Sequence, residues 1–185
     1  MNTLAKTFGI FAAISLLVNG CAALPGRSGQ GEARLPKAAV YEALLGKPLS
    51  DETVIDFITA NNCFSADQFL LCHTAGMALW TDSNQVETIY LYLNHADGFD
   101  PYEGQLPFGL KFYDNLAAVE YKLNRQGIGN AGLPDITATP DHIHYRATYY
   151  QAGLTILYNS PFADEDASIY AILIDRQNAR AKDSP

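Results

Sequence analysis

One internal recurrence constrains this chain more than any other feature. Ala75-Gly76-Met77-Ala78-Leu79-Trp80 aligns with Ala152-Gly153-Leu154-Thr155-Ile156-Leu157, and Thr88-Ile89-Tyr90-Leu91-Tyr92-Leu93 with Ser168-Ile169-Tyr170-Ala171-Ile172-Leu173. Each pair of segments is β-branched, aromatic or aliphatic almost throughout, the composition of a pleated and well-covered strand. A helical pattern precedes the strands in each half. Val54, Ile55, Phe57 and Ile58 follow the capping residues Ser50 and Asp51, and Leu116, Val119 and Leu123 follow Asp114 and Asn115. The expected fold is α+β: an antiparallel sheet with helices on one face, built as a tandem duplication of an α-β-β-β unit.

The remaining punctuation sets the boundaries. Ala39, Val40, Ala43 and Leu44 give a further short helix that Gly46 and Pro48 stop, and Gly127 and Gly129 close the helix around Val119. Strands are expected at residues 69–72, 76–81, 86–93, 142–150, 153–159 and 168–174. The domain then spans residues 37–174, with halves at about 37–110 and 111–174 and a polar tail at 175–185. Residues 22–36 (AALPGRSGQGEARLP) have no apolar period and read as a flexible tether.

The first residues are an address. Lys6 precedes an apolar run from Phe8 to Val18, the layout of a secretory leader and too short to cross a ~30 Å hydrocarbon core comfortably. Val18-Asn19-Gly20-Cys21 follows, and resembles the lipobox of bacterial lipoproteins. The resemblance implies cleavage of residues 1–20, acyl chains on Cys21, and a mature chain anchored by lipid alone. Ala22 in place of Asp implies the outer membrane, with the body in the periplasm. Several acyl chains give stable anchoring where one is marginal.

With Cys21 lipidated, the three cysteines leave Cys63 and Cys72 as a pair. A disulfide and two buried thiols are both open readings, and an oxidising compartment favours the disulfide. Charge narrows the partners. Twelve basic residues against twenty acidic ones give −8, and loss of Lys6 with the leader makes it −9. That balance excludes nucleic acid, whose binding rests on Lys and Arg neutralising phosphates, and leaves a basic protein partner open.

The tandem arrangement over roughly residues 50–174 resembles the beta-lactamase inhibitor protein family. It is also similar to the SmpA/OmlA family of outer-membrane assembly lipoproteins, which hold one such unit. Separately, Tyr102-Glu103-Gly104-Gln105-Leu106-Pro107-Phe108-Gly109-Leu110 before a helix resembles a pattern in bacterial proteins, some of them thought to be immunity proteins for secreted toxins.

No motif for catalysis is present. Ser65, Ser83 and Ser160 lack a nucleophile-elbow setting. There is no phosphate-cradling Gly loop and no His-Glu-x-x-His helix. No catalytic residue and no cofactor are assigned. His142 and His144, two apart on a strand beside Asp141, are weak metal candidates that lack a third ligand. Asp97, Asp100 and Glu103 lack the spacing of a calcium loop, and Asp164-Glu165-Asp166 reads as a solvated hairpin tip. What remains is aromatic surface: eleven Tyr and nine Phe, concentrated in strands and the middle loop.

Tyr is enriched in protein interfaces. The expected contact residues are therefore Tyr90, Tyr92, Tyr149 and Tyr158 on the open face of the sheet, with Asp97, Asp100 and Tyr102 from the adjoining loop. The expected function is non-enzymatic protein binding, foremost as an inhibitor or immunity protein that captures a basic effector. An envelope-assembly scaffold and a metal-dependent hydrolase using His142 and His144 are the alternatives.

Overall fold

The computed structural model describes residues 40–93, 95–129, 135–138 and 143–176. Cys21, the leader, the tether, Asp141, His142 and the tail beyond Arg176 lie outside the described residues.

Among the described residues, three α-helices and eight strands make an α+β fold. Helix α1 is Val40–Leu44. Helix α2, Glu52–Ala60, starts where Asp51, in an extended conformation, accepts a hydrogen bond from the Thr53 N–H at 3.0 Å. It ends where the Asn61 side chain donates to the Phe57 carbonyl at 2.8 Å. Val54 is buried, with Phe57 and Ile58 packed beside it, whereas Ile55 faces outward. Helix α3, Leu116–Asn124, is capped by Asn115, which accepts from the Ala118 N–H at 2.9 Å. Its buried stripe is Leu116, Val119 and Leu123.

The strands are β1 (Phe64–Ala66), β2 (Phe69–Cys72), β3 (Met77–Asp82), β4 (Gln85–Tyr92), β5 (Asp135–Ala138), β6 (Ile143–Tyr149), β7 (Leu154–Tyr158) and β8 (Ile169–Asp175). They form one antiparallel sheet in the order β1-β2-β3-β4-β8-β7-β6-β5. Two four-stranded meanders therefore meet along β4 and β8. The sequence pattern predicts three strands per half; β1 and β5 are the additional ones. Both are short edge strands, Phe64–Ala66 carries no alternation of burial, and β8 takes in Asp175 from the expected tail.

The meanders match in detail. Between β2 and β3 the chain makes a 3₁₀ turn at His73–Ala75 and passes through Gly76 at φ +64°. Between β6 and β7 it makes the same turn at Tyr150–Ala152 and passes through Gly153 at φ +61°. Left-handed backbone of this kind is open to glycine at no steric cost. The Gly76 carbonyl accepts from the Tyr92 N–H, and the Gly153 carbonyl from the Asp175 N–H, both at 2.9 Å. Each meander also carries a bulge at matching places, beside Trp80 in one and Leu157 in the other.

These pairings correct the alignment of the last strands. Tyr92 corresponds to Asp175 and Tyr90 to Leu173, so Thr88–Leu93 lies three residues out of register with Ser168–Leu173. Tyr90 and Leu173 also pair with each other, which puts the local two-fold relation through that pair.

One face of the sheet holds the main core. Met77, Leu79, Ile89, Leu91, Ile156, Ile172 and the buried residues of all three helices form a single cluster. Each fully buried Leu or Ile contributes roughly 1.5–3 kcal/mol. The Cys63–Cys72 disulfide ties the segment after α2 to the end of β2 at the edge of this cluster. Asp114, almost fully buried, is paired with Lys122 at 2.6 Å and accepts from the Lys111 N–H at 2.7 Å, fixing the approach to α3.

Candidate functional site

Strand register decides which tyrosines reach the second face. Tyr90 pairs with Leu173 and Ala78, and Tyr92 with Ala171; these residues alternate with the core set and point away from it. Phe69 and Trp80 pair on the same side. Tyr90, Tyr92, Phe69 and Trp80 are all half-buried, with ring surface still exposed.

Tyr149 and Tyr158 lie on the opposite face. Tyr149 pairs with Leu154, and both tyrosines are among the most deeply buried side chains of the core. Tyr102 is buried against the same cluster. These three are therefore unavailable at the open face. The cause for Tyr158 is β7 itself: Leu-Thr-Ile-Leu-Tyr is buried at every position and carries no alternation to read. Tyr158 keeps the parity of Leu154 and Ile156, and the bulge beside Leu157 brings Ile169 of β8 opposite it on the core side.

A chain of rings crosses the second face. Phe64 meets His73 edge-on with centroids 5.2 Å apart, and His73 meets Phe99 at 4.3 Å. Phe99 stacks on Tyr92 at 4.1 Å and 11°. Tyr92 meets Tyr170 at 6.4 Å, and Tyr170 stacks on His144 at 3.9 Å. Phe69 and Tyr90 form a separate edge-on pair at 5.7 Å. Such contacts add about 0.5–1.5 kcal/mol each beyond buried area.

The loop 95–102 is laid over this chain. Ala96 packs with Leu157, Tyr170 and Ala171. The Tyr170 hydroxyl donates to Asp97 Oδ2 at 2.6 Å, a charge-assisted bond. Asp97 and Gly98 turn the backbone through φ +52° and +79°. Phe99 is thereby aimed inward, and the Asp100 N–H donates to the His73 carbonyl at 2.9 Å. The Tyr102 N–H donates to the Tyr92 carbonyl at 2.8 Å, beside Gly76. Asp97 and Asp100 stay exposed, with His95 Nδ1 3.6 Å from Asp100.

Burial raises the Tyr92 hydroxyl pKa, and the nearby Asp97 and Tyr90 add to the rise. Tyr90 is also raised by burial, a shift that Arg146 opposes and Asp175 reinforces. These hydroxyls remain neutral contact groups at physiological pH. On the core side Tyr149 is pushed up to about 12, again by burial, and Tyr158 is raised from the same cause.

His144 is fully buried, with Nδ1 3.0 Å from the Tyr158 carbonyl. Among the described residues no group of three or more His, Cys, Asp and Glu is arranged to hold a metal. The expected loop pattern Tyr102–Leu110 serves packing: Leu106, Pro107 and Leu110 are buried, and Phe108 lines a groove of about 370 Å³ with Tyr41, Glu42 and Ile174.

Phe99, Trp80 and Phe69 are the residues that the sequence pattern does not single out. Phe99 carries a signal, being the one large apolar side chain between Asp97-Gly98 and Asp100-Pro101 in a loop of breakers. An apolar residue so placed must turn inward. The site's chemistry is contact chemistry: ring faces, a hydroxyl held by a carboxylate, and exposed carboxylates at the rim. No family model, curated protein or solved structure matches this chain.

Proposed function

We propose that this chain is an outer-membrane lipoprotein, anchored at Cys21, whose body binds another protein without catalysis and acts as an inhibitor or immunity protein against a basic effector. The observation that carries this reading is the second sheet face, where Phe69, Trp80, Tyr90 and Tyr92 keep ring surface exposed beside the carboxylates of Asp97 and Asp100. Large rigid rings supply contact area at low entropic cost, and flanking carboxylates steer a basic partner into register. A net charge of −8 supports the same choice.

The twin turns at Gly76 and Gly153 and the matched bulges support descent of the two meanders from one duplicated unit with four strands. On this reading the three helices cover the core face, and the part of the other face outside loop 95–102 is left to the partner.

The test is affinity capture with the full chain from its own cells, comparing wild type with Trp80→Ser/Tyr90→Ser. A basic secreted protein enriched by wild type and lost with the double variant is the expected result. Enrichment of envelope-assembly proteins instead moves the same face to a scaffold role. Capture that is indifferent to both substitutions refutes the site.

A further inference from the structure

The most exposed aromatic residues are not on the sheet. Tyr113 is 85% exposed, Phe162 72% and Tyr121 63%. Tyr121 belongs to α3, Tyr113 to the turn before its cap Asn115, and Phe162 to the β7–β8 connection. Ala117, Tyr121 and Arg125 recur every fourth residue, one stripe along the outer side of α3, and all are exposed. The Arg125 guanidinium lies 5.7 Å from the Tyr121 ring centroid.

The connection carrying Phe162 is bolted to the start of that stripe. The Ala117 N–H donates to the Glu165 carbonyl at 3.2 Å, and the Leu116 N–H to the Ala167 carbonyl at 3.1 Å. Asn115 Nδ2 lies 3.4 Å from Asp166 Oδ1. The stripe therefore has an acidic end, made by exposed Asp164, Glu165 and Asp166, and a basic end at Arg125, with the Tyr121 ring between them.

We propose that this stripe is a self-complementary docking surface for a second copy of the chain. Two α3 helices laid antiparallel about a two-fold axis at Tyr121 bring the Tyr121 rings together. Arg125 and Ala117 lie equally far from Tyr121, about 6 Å along the helix on either side. Each Arg125 thus falls opposite the Ala117 end of its partner, where the Glu165 backbone is held. An isologous interface requires this reciprocity, in which one residue meets a second and the second meets the first. Helix α2, the corresponding helix of the first half, lacks it: its outward charges, Glu52 and Asp56, are both acidic. The proposal is independent of the sheet-face reading.

Sedimentation equilibrium of the full chain in density-matched detergent tests it. A monomer–dimer equilibrium with Kd on the order of 1–100 µM is expected. Because the pair occurs twice per dimer, Arg125→Glu and Glu165→Arg each weaken association about tenfold or more. Combining the two reversals in one chain restores it to within about threefold, which a folding defect cannot do. A monomer at all concentrations to ~100 µM, a dimer indifferent to either reversal, or a double variant weaker than both singles overturns the proposal.

Discussion

Gly76→Ala separates what a left-handed backbone costs from what the loop resting on it costs. Gly76 has φ +64°, and a Cβ built there meets the Tyr102 nitrogen at 2.4 Å, the Asp100 oxygen at 2.5 Å and the Tyr102 Cα at 2.7 Å. All three are backbone atoms, so no side-chain rotation relieves the overlap. The left-handed conformation alone costs an alanine about 1 kcal/mol. Overpacking of this kind adds about 1–3 kcal/mol, and loss of the 2.8 Å Tyr102–Tyr92 hydrogen bond about 1 kcal/mol more. The expected destabilisation is about 3–5 kcal/mol. Gly127→Ala is the control: φ there is +76°, with no atom within 4 Å of the added Cβ, so about 1 kcal/mol is expected. Urea unfolding followed by the fluorescence of Trp80, the single tryptophan, gives both values, and hydrogen exchange reads the Tyr102 amide. Equal losses at the two glycines, with the Tyr102 amide still protected in Gly76→Ala, would refute the account of the loop as seated on Gly76.

Further outcomes follow from the same geometry. Cys63→Ala/Cys72→Ala opens a loop with a sequence separation of 9 and should cost roughly 2–3 kcal/mol in the same unfolding assay. Burial holds the Tyr149 hydroxyl at about 12, above the ~10 of an unfolded chain. Its contribution is complete below pH 10 and is lost as pH rises through 12, a fall on the order of 2 kcal/mol that Tyr149→Phe should flatten in unfolding midpoints taken from pH 8 to 12. Among the described residues the buried Tyr158 hydroxyl has no hydrogen-bond partner. Tyr158→Phe should therefore leave stability within about 1 kcal/mol of wild type, on the stabilising side, by the same urea titration. Cys21→Ser should release the chain from the membrane fraction, and unchanged fractionation would remove the lipid anchor from the proposed function.

The caps, the stripes of α2 and α3, and six of the eight strands are legible in the residues because each is a local event. Asp51 and Asn115 bond their own first turns, and the β4 run declares itself by composition. Facing is a different matter. Which face a tyrosine takes relative to one in another strand depends on two bulges and two 3₁₀ turns that interrupt strand parity. A stretch buried on both faces, such as Leu154–Tyr158, has no alternation to betray the interruption. The loop was legible only as breakers; its seating depends on Gly76, His73 and Tyr170, which are remote in the chain or belong to other elements. Phe64–Ala66 escaped because three residues, two of them exposed, leave no period.

The pairing of Tyr90 with Leu173 has a consequence for how two copies of this chain could pair wrongly. β4 and β8 are counterparts about that point, so the edge of β4 that accepts β8 is shaped to accept a strand like itself. All the other ladders join neighbours in the chain, as hairpins or short meanders, and form locally. Among the strand ladders of the described residues, this seam alone joins distant segments. During synthesis or on partial unfolding, a first half with β4 uncovered finds its own copy as ready a mate as β8. The seam is thus the natural hinge for exchange between molecules, and a chain cut ahead of the second half would meet its twin there.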